Sequence, residues 1–340
     1  MPLVSVIIPV HNAELFLEEC IASLQKQTIT DTELIFVDDA STDASGELLL
    51  TAKNSDPRIE VITFLENRGV SAARNAGIDR ASGRYIAFCD ADDWYEPEML
   101  EALVGACERD QSDVSFCRVF KDRENEQINV PLGFEDGRVF ESGAILDELI
   151  PAMLALPKDG DGQPLSGYTP RNLFRRSVIG TIRFREDIHY AEDLLFIITC
   201  YLNCRRITVV DRAYYHYRFY KGSVTKRYSK YIPDSLERSN EALTELLSGS
   251  PLCMERMRIR KRKMSVDAVR NICTNQTPYS FPERIRWIKE YMGRADIRAL
   301  YHGLRLRKIA PRTAIRLGLM KYRCAFLSCL LYSTLFKNWA

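Results

Sequence analysis

Strand and helix patterns alternate through the first 110 residues with little chain between them. Short β-branched, apolar runs typical of buried strands are followed by segments whose apolar residues recur at helical spacing. Repeated alternation favours right-handed crossovers and a doubly wound, mostly parallel sheet with helices on both faces. The sequence therefore predicts an α/β fold. The predicted strands are 4–9, 33–37, 59–64 and 85–89, and the predicted helices are 14–25, 41 or 42 to 52 with Ser41 or Thr42 as cap, 70–80, and 97 to 107.

Polar clusters follow each of the four predicted strands. Ligands of such sheets bind beyond the carboxyl ends of the strands, so we expect the four clusters to form one site. Taken singly, each cluster could be an ordinary turn or helix cap. The clusters are Pro9-Val10-His11-Asn12, Asp38-Asp39-Ala40-Ser41, Asn67-Arg68-Gly69 and Asp90-Ala91-Asp92-Asp93.

The last cluster places three carboxylates within four residues, directly after an apolar strand. Carboxylates this close repel one another unless a cation or a set of hydrogen-bond donors compensates them. Oxygen ligands of this kind suit a hard divalent cation. Turn residues remain the alternative for the cluster on its own.

The chain is less regular after residue 110. Residues 113–120 are a candidate strand, and 121–143 are polar and rich in turn residues. The segment 157–170 is predicted to be a loop that could lie over the site. From Ser229 the pattern is helical to the end, so we predict one domain at 1–228 and a helical C-terminal region at 229–340.

The net charge of +1 conceals a strong asymmetry. Residues 251–340 contain 20 Lys and Arg but 5 Asp and Glu, whereas the first 250 residues contain 27 and 41. A basic region of this kind suits an anionic membrane surface. Nucleic-acid binding is disfavoured, because no recognisable nucleic-acid module accompanies the charge.

The apolar stretch 324–336 is shorter than the roughly 20 residues that a helix needs to span a bilayer. We expect it to lie in the membrane interface with Trp339 beside it and its neighbouring cations toward anionic headgroups. Packing on the protein itself is the alternative. The ten scattered cysteines lack CxxC spacing, and the N-terminus lacks a secretory pattern, so we expect reduced thiols in a cytosolic protein.

Taken together, the motifs resemble those of the family 2 glycosyltransferases. The resemblance covers about residues 3–220 and implies a GT-A type fold, an inverting mechanism and a nucleotide-sugar donor, moderately favouring UDP. The segments that carry it are Val4-Ser5-Val6-Ile7-Ile8-Pro9-Val10-His11-Asn12, Val37-Asp38-Asp39-Ala40-Ser41-Thr42-Asp43, Asn67-Arg68-Gly69-Val70-Ser71-Ala72-Ala73-Arg74-Asn75-Ala76-Gly77, Asp90-Ala91-Asp92-Asp93 and Glu192-Asp193-Leu194-Leu195-Phe196.

The resemblance implies roles on the donor side of the site. Asp39 resembles the acid that accepts a hydrogen bond from the base, a role that the N3–H of uracil suits. Arg74 resembles the residue beside the diphosphate. The family more often has Tyr or Phe at the position of His11, whose imidazole can still stack on uracil. The full implied donor set is Pro9, Val10, His11, Asn12, Glu14, Asp39, Arg74, Asp90 and Ala91.

Asp90 and Asp92 match the DxD motif of the family. Their task would be to hold Mn²⁺ or Mg²⁺ against the diphosphate, where a cation stabilises the leaving nucleotide. Asp92 is the expected direct ligand, Asp90 the partner that binds ribose or metal through water, and Asp93 a cap of the next helix. His216 either reaches the metal or diphosphate or is an ordinary strand residue.

The pair Glu192-Asp193 resembles the acidic pair that opens a helix on the acceptor side. Asp193 is the implied base that takes the proton from the attacking hydroxyl. The alternative is that two acids merely favour the helix dipole. Where the family tends to have Trp-Asn-Lys, this chain has Pro170-Arg171-Asn172, and the lysine could be replaced by Arg171, Arg175 or Arg176.

The expected function is metal-dependent, inverting transfer of a hexosyl or N-acetylhexosaminyl group to a glycan or lipid-linked glycan, in bacterial surface polysaccharide synthesis at the inner face of the cell membrane. The alternatives are transfer to a polyprenyl phosphate or protein, and a catalytically inactive nucleotide-sugar binder. A dinucleotide-dependent oxidoreductase is disfavoured, because no GxGxxG motif follows the first strand.

Overall fold

The structure is a computed structural model, and its described residues form two compact units. The first contains residues up to Leu146 and from Gly167 to Tyr220, and the second contains described residues of 147–166 and 221–340. Nothing in the sequence indicated that 147–166 groups with the later residues, and the predicted boundary after 228 stays a prediction. The described residues are 1–124, 126–155, 165, 167–220, 228–274, 277–309 and 311–334, with the backbone alone at Lys308.

The first unit contains a mostly parallel sheet in the order β3-β2-β1-β4-β9-β6-β10-β5, with β7 paired to β6 and β8 to β10. Strands β3, β2, β1 and β4 are parallel, and β9 runs antiparallel to β4 and β6. The strands are β1 Val4–Val10, β2 Thr32–Asp38, β3 Ile59–Thr63, β4 Tyr85–Phe88, β5 Trp94–Tyr95, β6 Val114–Arg123, β7 Glu126–Val130, β8 Val139–Glu141, β9 Asn172–Arg175 and β10 Arg206–Arg218.

Helices cover this sheet, so β1, β2 and β4 are buried along nearly their whole length. Gly77 brings α3 close to β1: a Cβ there would lie 2.3 Å from Cγ2 of Ile7. The helices up to residue 201 are α1 Leu17–Gln25, α2 Ser45–Ser55, α3 Val70–Arg80, α4 Met99–Asp110, α5 Ser142–Ala144, α6 Ile150–Leu154, α7 Arg176–Ile179 and α8 Glu192–Tyr201, with a π-helix at Ile145–Leu149 and a 3₁₀ turn at Thr169–Arg171.

The predicted α/β fold class is confirmed, and every predicted element of the first 110 residues is present, with ends displaced by up to four residues. The predicted cap of α2 is wrong. That helix begins at Ser45 after Ala44, because Ser41 and Thr42 bond to Asn12 instead. The predicted loop at 157–170 lies mostly outside the described residues.

Two strands in the polar stretch after residue 120 were not predicted. β7 lies at the edge of the sheet with most of its side chains exposed, so it lacks the alternation of a half-buried strand. β8 has only three residues, too few for any pattern.

All the secondary structure described in the second unit is helical, which confirms the predicted helical C-terminal region over the described residues from 229 to 334. None of the described helices is long and apolar enough to cross a membrane. Besides α6, this unit contains α9 Ile232–Leu246, α10 Pro251–Ile272, α11 Phe281–Gly293, α12 Ala295–Tyr301, α13 Pro311–Lys321 and α14 Ala325–Ser333, with a 3₁₀ turn at Leu306–Lys308.

Candidate active site

The loops after β1 and β2 are bonded to each other at the carboxyl edge of the sheet. The Asn12 side chain accepts a hydrogen bond from the Thr42 amide at 2.8 Å, and the Asn12 amide donates to the Ser41 hydroxyl at 3.0 Å. His11 donates from Nδ1 to the Asp39 carbonyl at 2.8 Å and is exposed. Val10 is buried in the core, so of the predicted base-binding loop His11 and Asn12 present their side chains to solvent.

Asp39 is buried and joins three loops. Its two carboxylate oxygens accept hydrogen bonds from the amides of Arg68 (2.7 Å) and Gly69 (2.8 Å), just before α3. Its own amide donates to the Val10 carbonyl at 2.8 Å. The predicted contact with uracil stays a prediction. Each carboxylate oxygen has a second lone pair that can accept such a donor.

Glu14 and Ala91, also expected on the donor side, have structural contacts in this state. The Glu14 carboxylate accepts a hydrogen bond from the Ala44 amide at 3.0 Å, at the start of α2. Ala91 is buried within the core cluster of the first unit. Any contact of these two residues with a donor stays a prediction.

Arg74 bridges the acidic cluster after β4 and the acidic pair that begins α8. Its buried guanidinium donates from Nη2 to Asp90 at 2.9 Å, and from Nη1 to Asp193 at 2.6 Å and to Glu192 at 3.4 Å. Burial lowers the pKa of Arg74, but the three carboxylates outweigh burial and raise it above its ordinary value. The sequence placed Arg74 beside the diphosphate, whereas here it holds three acids together.

Asp92 and Asp93 differ in their surroundings. Burial and the charge of Asp90 raise the pKa of Asp92 to about 6. Asp93 accepts hydrogen bonds from the Tyr215 hydroxyl and, at 2.7 Å, from the Arg218 amide. Burial and its acidic neighbours hold the pKa of Asp93 well above the ordinary value. The prediction that Asp93 caps the next helix is wrong. Asp93 is hydrogen-bonded to β10, and α4 begins only at Met99.

These residues fit a divalent cation that takes most of its ligands from outside the protein. Asp90 is paired with Arg74, whereas no cation of the described chain lies within ion-pair distance of the Asp92 carboxylate. Within the described ranges, no three His, Cys, Asp or Glu side chains are grouped to hold a metal. Mg²⁺ is commonly held by one or two carboxylates plus substrate phosphates and water, and Asp92 can supply such a carboxylate.

His216 lies in β10 with both ring nitrogens engaged. Nε2 is 2.8 Å from Glu96 Oε1, and Nδ1 is 3.0 Å from Asp122 Oδ2. The ring is stacked between Trp94 and Phe120, with centroid distances of 4.5 and 4.6 Å. The sequence left open whether His216 is a metal ligand or an ordinary strand residue. These contacts favour the ordinary strand residue.

Glu192 and Asp193 are the first two residues of α8. Ala191 before them has a φ of 64°, a left-handed conformation that is uncommon for a residue with a side chain. Asp193 accepts a weak hydrogen bond from the Thr169 amide at 3.4 Å. Burial raises the pKa of Asp193, and burial together with the Asp193 charge raises the pKa of Glu192 to about 7.

The three arginines considered as substitutes for the family lysine lie against the sheet. Arg171 is buried over the Phe116 ring at 5.1 Å. Arg175 lies over the Tyr85 ring at 5.3 Å, and Arg176 donates to the Gly83 carbonyl at 2.8 Å. A contact of any of them with a substrate stays a prediction.

Sequence reasoning missed two parts of this site. The Arg74 bridge joins residues more than a hundred positions apart, and no local pattern shows it. The role of Tyr215 as a donor to Asp93 was also missed, although the tyrosine-rich stretch 214–217 marked this part of β10.

Known proteins are similar to this chain in sequence and in fold. The model of glycosyl transferase family 2 matches residues 5–178. The uncharacterized glycosyltransferase EpsJ of Bacillus subtilis (strain 168) is 31% identical over 336 residues, which cover 96% of this chain and 94% of EpsJ. TuaG of the same organism, a putative teichuronic acid biosynthesis glycosyltransferase, is 43% identical over 100 residues, 29% of this chain and 40% of TuaG.

A solved structure shares the fold. Residues 1–349 of S. aureus TarS, in complex with UDP-GlcNAc, superpose with a TM-score of 0.65 at 21% identity, covering 99% of this chain and 92% of that one. Since the family model spans half of the chain and EpsJ aligns along nearly all of it, the chain belongs to glycosyl transferase family 2.

Proposed function

We propose that this glycosyltransferase has the GT-A type of fold and is a metal-dependent, inverting enzyme that transfers a sugar from a UDP-sugar to a glycan hydroxyl. The observation that carries the proposal is the Arg74 bridge, which brings the DxD residue Asp90 and the candidate base Asp193 onto one guanidinium. The proposed donor-side acid and the proposed acceptor-side acid thereby bond to the two terminal nitrogens of a single buried guanidinium.

The chemistry assigned to the chain follows from this arrangement. Asp193 accepts the proton of the acceptor hydroxyl as that oxygen attacks the anomeric carbon opposite the leaving group. Burial raises its pKa, which strengthens it as a base, while Arg74 favours its ionised form. A divalent cation at Asp92 would stabilise the negative charge on the departing diphosphate.

The proposed donor is a UDP-sugar. Support comes from Asp39, whose carboxylate accepts hydrogen bonds from the amides of Arg68 and Gly69 and keeps lone pairs for a further donor, such as uracil N3–H. Exposed His11 offers a ring on which a base can stack. The S. aureus protein with the same fold binds UDP-GlcNAc, in keeping with this donor class.

The proposed acceptor is a growing bacterial surface polysaccharide, free or lipid-linked, at the inner face of the cell membrane. The relative TuaG, putatively assigned to teichuronic acid biosynthesis, supports this acceptor class. The basic C-terminal region supports the location, since cations are attracted to anionic headgroups. A second candidate acceptor is a polyprenyl phosphate. The observation that favours it is the same positive charge of the C-terminal region.

The test is a panel of nucleotide sugars scored for thermal stabilisation of the protein with and without Mn²⁺. We expect at least one UDP-sugar to raise Tm only when the metal is present. Asp92→Asn should abolish the metal-dependent part, whereas Asp187→Asn, at an exposed acid paired with Arg185, should leave it intact. If no UDP-sugar stabilises the wild type in a metal-dependent way, the donor assignment fails.

A further inference from the structure

The last described helix, α14, is apolar on two faces. One face packs into the core of the second unit and is formed by residues at helical spacing: Ala325, Ser328, Cys329 and Tyr332, which are all buried. This answers part of the question left by the sequence, because the terminal helix does pack on its own protein. On the other face, Phe326 meets the Phe281 ring edge-on with 6.0 Å between centroids, and this contact leaves most of that face uncovered.

The second face of α14 is exposed. Phe326, Leu327 and Leu330 retain 60%, 43% and 39% of their accessible surface. The spacing of 326, 327 and 330 places these three side chains on one side of the helix. Tyr322 and Arg323, in the turn just before α14, are also exposed. We call these five residues the terminal face. Contiguous exposed apolar residues of this kind usually mark an interaction site.

The segment of the sequence that contains the terminal face is strongly cationic. Residues 297–340 contain nine Lys and Arg and no Asp or Glu. Arg305, Arg307 and Arg312 in this segment are exposed, as is Arg323 on the face itself. A second copy of the chain would bring the same positive charge against this surface, and interface cores are normally depleted in charge. Charge complementarity therefore favours an anionic occupant with an apolar interior.

We propose that the terminal face docks on an anionic lipid bilayer, with Phe326, Leu327 and Leu330 inserted at the boundary between headgroups and acyl chains. Helix α14 has nine residues, fewer than the roughly 20 that a helix needs to span a bilayer, so it would lie in the plane of the interface. The exposed Arg323 would contact lipid phosphates. This inference deepens the membrane location within the proposed function and is independent of the donor.

The test is co-sedimentation of the full chain with vesicles of phosphatidylcholine alone or mixed with phosphatidylglycerol. We expect binding only to the mixed vesicles, weakened by salt. The double variant Phe326→Glu/Leu330→Glu should lower the partition coefficient by about tenfold or more, since two apolar insertions are replaced by charges. The matched control is Leu50→Glu/Leu246→Glu, at leucines that are 59% and 43% exposed, which adds the same charge elsewhere.

Equal binding of the two double variants would overturn the proposal, as would equal binding of the wild type to both vesicle types. Sedimentation velocity without lipid tests the other possible occupant, a second copy of the chain. If the wild type is a dimer and Phe326→Glu/Leu330→Glu dissociates it, the face would be assigned to a second copy. UDP-dependent thermal stabilisation of the same variants should be unchanged. A failure of vesicle binding is therefore distinguishable from a failure of the proposed donor.

Discussion

Replacing Arg74 by methionine should be one of the most damaging single changes in the first unit. The variant keeps the bulk of the side chain but leaves Asp90, Glu192 and Asp193 without their shared cation. Removing one partner of a buried ion pair costs about 3–5 kcal/mol, because the other charge stays buried and unpaired. With contacts of 2.6 and 2.9 Å to two of the acids, we expect a loss of about 4 kcal/mol in the free energy of unfolding at pH 7.

The loss can be measured by urea unfolding followed by near-ultraviolet circular dichroism, and should lower Tm by about 10 °C. Arg80→Met is the matched control in the same helix: its partner Glu60 is 2.5 Å away, but the pair is exposed and should contribute little. Arg74→Lys keeps the charge and should recover part of the loss.

The loss in the free energy of unfolding should be smaller when Asp193 is neutralised. Arg74→Met should therefore destabilise the Asp193→Asn variant less than it destabilises the wild type. Equal stability losses for Arg74→Met and Arg80→Met would refute the bridge. So would strict additivity of the Arg74 and Asp193 changes.

Three further predictions concern the base, the pH dependence and the packing of α3. Asp193→Asn should lower kcat by about 100-fold or more while donor-dependent thermal stabilisation persists, and retained transfer would remove Asp193 as the base. Because folding raises the pKa of Glu192 from 4.5 to about 7, the native state binds the extra proton between these values, so ionisation costs stability as pH rises. Glu192→Gln should therefore match the wild type near pH 4 and exceed it by about 3 kcal/mol above pH 7, and parallel stability–pH curves would contradict this. Gly77→Ala should lower the free energy of unfolding by about 1–3 kcal/mol, because the added Cβ clashes with Ile7. In the control Gly105→Ala the added Cβ has no neighbour within 4 Å, so the free energy of unfolding should be unchanged or rise by about 1 kcal/mol. Equal effects of the two variants on chemical unfolding would rule out the close approach of α3 to β1.

Strands β1, β2 and β4 were predictable because each is a mostly apolar run, and their helices because a segment of helix length follows each strand. The predicted α3 agrees at both ends with the observed Val70–Arg80, since Gly69 before it takes a positive φ and starts the helix abruptly. The start of α2 was misplaced because Ser41 and Thr42 are good caps in isolation. In the fold, Asn12 from another loop competes for them, and that contact is invisible in a local pattern.

For the site, the sequence predicted which residues would be important better than it predicted what each would contact. Arg74 was placed near the phosphates because a guanidinium binds anions, and it does bind anions, but those of three side chains. Asp93 was taken for a cap because acids favour helix starts. The hydroxyl of Tyr215, more than a hundred residues away, bonds to it instead.

The hydrogen bonds of Asp39 limit how the specificity of enzymes of this kind can be changed. Its amide, carbonyl and carboxylate bond to Val10, His11 and the Arg68-Gly69 pair, so one residue sets the spacing of the loops after β1, β2 and β3. A loop transplanted singly from a relative would meet two loops still spaced for the original sequence. Productive grafts should therefore move all three loops as a block, and natural variation in them should be correlated.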